Sequence, residues 1–97
     1  MIAVQLNKRD FEYDIHSLIR SFYPGMDVPV YQEDEPHPEG WEKKLTVDYQ
    51  SDRIRLRFLD SNETLLAEKE QQIDYEADRK ATKNVLKSML YEMLRDH

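Results

Sequence analysis

Three arginines at alternate positions, Arg53, Arg55 and Arg57 in "DRIRLRFLDS", come nearest in this chain to a spacing that does chemistry. Successive side chains of a strand point to opposite faces, so the three would form one row of guanidinium groups. Such a row can take a phosphate or another anion. The rest of the reactive inventory is thin. His16, His37 and His97 have no second histidine three or four positions on to complete a metal pair. Glu33, Asp34 and Glu35 lack the spacing and the glycine of a calcium loop. Ser17, Ser21, Ser51, Ser61 and Ser88 stand outside any nucleophile-elbow context. With only Gly25 and Gly40, no glycine-rich phosphate cradle can form. The absence of cysteine removes disulfides, thiolate nucleophiles, thiolate zinc sites and iron–sulfur clusters together. No catalytic, cofactor-binding or metal-ligating residue is therefore expected.

Composition bounds the remainder. Ninety-seven residues, 39% of them hydrophobic, suffice for one domain over residues 1–97 with a modest core. Acids outnumber bases 20 to 14, giving a net charge of -6. Nucleic-acid affinity comes largely from Lys and Arg displacing phosphate counterions, so that balance argues against a nucleic-acid partner. The opening "MIAVQLNKRD" lacks the apolar run of a secretory signal, and no window approaches the ~20 apolar residues of a membrane span. A soluble, cytoplasmic protein is expected.

The elements that must position the arginine row follow from periodicity. Ile2, Val4 and Leu6 alternate with Ala3 and Gln5, predicting a short opening strand. Asp10 is the expected N-cap of a helix whose stripe is Phe11, Ile15, Leu18, Ile19 and Phe22, stopped by "YPG" at 23–25. "VPVY" at 28–31 can extend, but Pro29 confines it to an edge or a bulge. "QEDEPHPEG" at 32–40 has no apolar residue and predicts an exposed loop; Trp41 after it is expected in the core. An antiparallel meander follows: Leu45, Val47 and Tyr49, then Ile54, Leu56 and Phe58, then Leu65, Ala67 and Ile73. A last helix is expected from a cap at Asp74, with the stripe Ala81, Val85, Met89, Met93 beside Thr82, Leu86 and Leu90. Arg79, Lys80, Lys83 and Lys87 fall off that stripe. Among them Arg79, Lys83 and Lys87 are the candidate interface residues on a basic outer row. The helix reaches "YEMLRDH" without a Gly, Asn or Pro stop, which predicts that the polypeptide continues past His97.

Register decides what the arginine row is for. A two-residue turn at Ser51-Asp52 pairs Tyr49 with Ile54, Val47 with Leu56 and Leu45 with Phe58. A four-residue turn at 60–63 would set Phe58 opposite Leu65 and Leu56 opposite Ala67. A slip of one residue would turn this apolar set to water. On the other face Arg55 then lies between Asp48 and Glu68, Arg53 opposite Glu70 and Arg57 opposite Thr46. Carboxylates across the ladder cancel most of the field a phosphate would need, so a solvated face is expected rather than a ligand site.

The opening "MIAVQLNKRDFEYDIHSLIRSFYP" and the closing "YEADRKATKNVLKSMLYEMLRDH" resemble the N-terminal region of oxygen-independent coproporphyrinogen III oxidase-like proteins. These are also called coproporphyrinogen dehydrogenases and belong to the radical S-adenosylmethionine (radical SAM) class. The resemblance implies that a linker and a catalytic barrel follow the closing helix, with a three-cysteine signature for a 4Fe–4S cluster. It implies a parent oxidoreductase of porphyrin and heme biosynthesis that decarboxylates propionate side chains using S-adenosylmethionine. For this segment it implies an accessory role beside the barrel of the same polypeptide and no cofactor of its own.

The expected fold is α+β, a two-layer domain with a mainly antiparallel sheet of four or five strands and two helices on one face. The expected function is that of a non-catalytic N-terminal accessory domain. The alternative is a stand-alone binding module that holds an acidic partner or RNA on the arginine row or the basic helix.

Overall fold

Period-two segments become strands and the striped segments become helices in the computed structural model, which describes all 97 residues. In chain order these are β1 (Ile2–Leu6), α1 (Glu12–Phe22), β2 (Val30–Gln32), β3 (Lys43–Gln50), β4 (Arg53–Asp60), β5 (Leu65–Gln72) and α2 (Arg79–Asp96). The five strands form one sheet in the order β2-β1-β3-β4-β5, so the fold is α+β. The meander β3-β4-β5 is antiparallel as its alternation requires. β1 runs parallel to both of its neighbours, β2 and β3, so the sheet is mixed. β1 is flanked by a strand on each edge, and Ala3, its smallest side chain, is buried along with Ile2, Val4 and Leu6. β2 is the expected edge strand, three residues long, and the Pro29 carbonyl still accepts a 2.9 Å bond from the Val4 amide.

One core joins the layers. Ile2, Val4 and Leu6 of β1, Leu45, Val47 and Tyr49 of β3, and Ile54, Leu56 and Phe58 of β4 belong to a single buried cluster. Ile15 and Ile19 of α1 enter it, as do Leu86, Met89, Leu90, Met93 and Leu94 of α2. The two helices lie alongside each other, tied by Asp10–Arg79 at 3.1 Å, Asp14–Lys83 at 3.5 Å and an edge-to-face contact of Phe22 with Tyr91 at 5.4 Å. Gly25, at φ 81°, takes the left-handed conformation that turns the chain after α1.

The β3–β4 register is the expected one, with Leu45 opposite Phe58, Val47 opposite Leu56 and Tyr49 opposite Ile54. The β4–β5 register differs by two residues: Phe58 faces Ala67 and Leu56 faces Lys69. The cause is the wider connection. The Asp60 carboxylate accepts from the Asn62 and Thr64 amides, Glu63 sits at φ 62°, and the ladder is irregular between Phe58 and Leu59. A shift of two preserves the faces, so Glu68 and Glu70 stay on the arginine side while their partners change.

Three further expectations are corrected. Asp10 does not cap α1; its carbonyl accepts the Tyr49 hydroxyl at 2.7 Å, its carboxylate holds Arg79, and Phe11 at φ 58° takes the cap position. Asp74 does not cap α2 but folds its own turn onto the Glu76 and Ala77 amides. Asp78 is the cap, accepting from the Ala81 amide at 3.1 Å. Trp41 lies outside the core cluster, half-buried, with the Lys44 ammonium 5.6 Å from its ring centroid. The buried aromatic that sequence reasoning missed is Tyr75, stacked on Tyr49 at 5.1 Å.

Candidate functional site

The sheet face turned away from the core carries the arginine row. Arg53 bonds Glu70 at 2.7 Å and Asp52 at 3.1 Å, and Arg57 bonds Glu68 at 2.9 Å. Hydrogen bonds from Arg53 hold Asp52 and Glu70 below the usual carboxylate range. The same carboxylates, Asp52 first, make Arg53 harder still to deprotonate. All three arginines thus meet a carboxylate across the ladder, Arg55 through a longer 3.4 Å approach of its Nε to Glu70.

Arg55 is different. It lies opposite Asp48 on one side and Glu70 on the other. No ion pair joins it to Asp48, and its Nε meets Glu70 at 3.4 Å outside hydrogen-bonding geometry. That Nε is buried without a hydrogen-bond partner, and neither terminal nitrogen makes a hydrogen bond within the chain. Beside it lies a shallow depression of about 200 Å³ lined by Gln5, Asn7, Glu33, Thr46, Val47, Asp48, Arg55 and Arg57.

The walls are held by their own bonds. Asn7 stands one residue past β1 and continues its pairing through the side chain: its amide nitrogen donates to the Tyr49 carbonyl, and its side-chain oxygen accepts from the Tyr49 amide, both at 2.9 Å. Gln5 Oε1 accepts the Tyr31 hydroxyl at 3.1 Å, which leaves the Gln5 amide nitrogen for the depression. Burial raises the Tyr31 phenol above its ordinary value, so that donor keeps its proton at neutral pH. Gln5 and Asn7 were absent from the sequence-level candidates. The signal for them is their two-residue spacing off the apolar positions of the opening strand, which puts two amides on one face.

The basic helix row is not the free surface its spacing predicts. Arg79 and Lys83 are both engaged by Asp10 and Asp14, and the Arg79 guanidinium also lies 4.9 Å from the Phe11 ring centroid. Only Lys87 of the three candidates is exposed without an ion pair. His37 meets Tyr31 in a tilted ring contact at 5.0 Å, with Nε2 3.2 Å from the Glu33 carbonyl, and His16 lines a shallow groove with Tyr13, Val28 and Val30. No three His, Asp or Glu side chains are grouped to hold a metal ion. Without cysteine, the chain supplies no thiolate ligand. No helix is long and apolar enough to cross a membrane. Compared with protein-family models, curated proteins and solved structures, the chain matches none.

Proposed function

We propose that this chain is a non-catalytic accessory domain, at the N-terminus of a coproporphyrinogen III oxidase-like radical SAM oxidoreductase, that works in the cytoplasm beside the catalytic barrel of the same polypeptide. The carrying observation is the resemblance of the two end segments. Support for treating them as one unit comes from their packing: Asp10, Asp14, Phe22 and Tyr23 of the opening segment meet Arg79, Lys83, Tyr91 and His97 of the closing one. The segments that resemble the family therefore form one connected body. S-adenosylmethionine and the 4Fe–4S cluster would be held by the barrel, which alone would carry the radical chemistry.

The test is deletion of residues 1–97 from the parent enzyme. The truncated enzyme is expected to assemble its cluster and cleave S-adenosylmethionine, with coproporphyrinogen turnover weakened. Loss of the cluster on deletion, or turnover by residues 1–97 alone, would contradict an accessory role.

The stand-alone binding module on the basic helix is disfavoured by the engagement of Arg79 and Lys83 within the fold. On the arginine row it is disfavoured by the carboxylates on Arg53 and Arg57.

A further inference from the structure

We propose that the depression beside Arg55 binds the zwitterion of a small α-amino acid, its carboxylate on the Arg55 fork and its ammonium group between Asp48 and Glu33. The inference is independent of the parent enzyme suggested above.

The unused valences define the ligand. The terminal nitrogens of Arg55, the Gln5 amide nitrogen and the Thr46 hydroxyl supply donors that no protein group occupies. The Asp48 carboxylate has only a 3.5 Å contact from Gln50, and the Glu33 carboxylate has no ion pair. Arg55 has an opposite charge facing it across each ladder, and of the two it pairs with Glu70. Arg55 leans through Nε to Glu70 and stays apart from Asp48, so its terminal nitrogens and the Asp48 carboxylate line the opening separately, which suits a ligand that carries both charges.

Competing ligand classes fit less well. A phosphate or simple carboxylate would gain Arg55 but meet Asp48 and Glu33, and a simple cation would meet Arg55 and Arg57. A hydrophobic ligand would find only Val47. The volume lies below the roughly 300–1,000 Å³ of sites for drug-sized ligands, which favours a compact molecule over a nucleotide or peptide. The walls are built in advance by the Asn7–Tyr49 and Gln5–Tyr31 bonds, so little ordering opposes binding.

The test is titration calorimetry of residues 1–97 with the proteinogenic amino acids, followed by amide chemical shifts. At least one amino acid should bind saturably in the millimolar range or tighter, shifting the Gln5 and Thr46 signals, while acetate and methylammonium at equal concentration should not. Arg55→Gln and Asp48→Asn should each weaken binding by about tenfold or more, since each removes a charge-assisted contact. Lys87→Gln, exposed on α2 and outside the depression, should bind like wild type. If Arg55→Gln fails to fold, Arg55→Lys keeps the charge but loses the fork and should still bind more weakly. Absence of saturable binding by every amino acid, acetate binding as well as the amino acid does, or unchanged affinity in a folded Arg55 variant would overturn the proposal.

Discussion

Replacing Asn7 with alanine should cost far more than its half-buried position suggests. Its side chain makes two 2.9 Å bonds to the Tyr49 backbone, closing the β1–β3 pairing beyond the last residue of β1. At a net value of about 1 kcal/mol per bond, their loss amounts to about 2 kcal/mol. The depression lets water reach the freed groups, so the larger penalty of a sealed, unpaired amide does not apply. For a domain of this size 1 kcal/mol moves the midpoint by about 4–8 °C, so Asn7→Ala should melt roughly 8–16 °C lower. Circular dichroism during thermal and urea unfolding measures this, with the urea dependence unchanged. Asn7→Asp sharpens the test. An ionised carboxylate still accepts from the Tyr49 amide but repels the Tyr49 carbonyl, whereas the protonated acid can serve both. Its folded pKa is therefore raised, so its contribution is present below the ordinary carboxylate value of about 4 and lost as pH rises through the folded value. The deficit against wild type should widen on going from acid to neutral pH. A midpoint shift under 2 °C for Asn7→Ala, or a pH-independent deficit for Asn7→Asp, would refute the reasoning.

Burial, with the Asp10 carboxylate adding to it, pushes the Tyr49 phenol far above its ordinary value. Its contribution is thus full below about pH 10 and falls as pH rises further, by up to about 1.4 kcal/mol per pH unit. Tyr49→Phe should flatten that alkaline loss in urea titrations between pH 8 and 11, at a cost near neutrality of about 1 kcal/mol for the bond to Asp10. Trp41→Ala should cost less than Phe58→Ala, which empties a fully buried core position and should cost about 3–5 kcal/mol, because Trp41 is only partly buried and lies outside the core cluster; chemical denaturation separates the two. Asp78→Ala should cost about 1 kcal/mol and Asp74→Ala less, and the reverse order by the same assay would contradict the cap assignment.

The meander was legible because apolar residues alternate over full strands on both sides of a two-residue turn, and only one register pairs them all. The same argument misplaced β5, where Leu65 and Leu66 are exposed and Lys69 faces Glu92 of α2. With so little burial to fix it, the strand follows its turn, whose length Asp60 sets. The parallel placement of β1 was not legible: "IAVQL" declares a buried strand but not its neighbours. The helix caps failed for a related reason. Asp10, Asp74 and Asp78 look alike in sequence, and tertiary contacts with Tyr49 and Arg79 remove the first from contention. The candidate site was legible in half. The sequence places the row and its carboxylates on one face, but which glutamate meets each arginine depends on the β4–β5 register. The contributions of Gln5 and Asn7 depend on β1 lying beside β3.

The most direct test of the accessory-domain account is the reading frame that follows the His97 codon in the gene. The account predicts that it continues through a linker into a barrel carrying a CxxxCxxC segment. A stop immediately after His97, or a continuing frame without that segment, would contradict it.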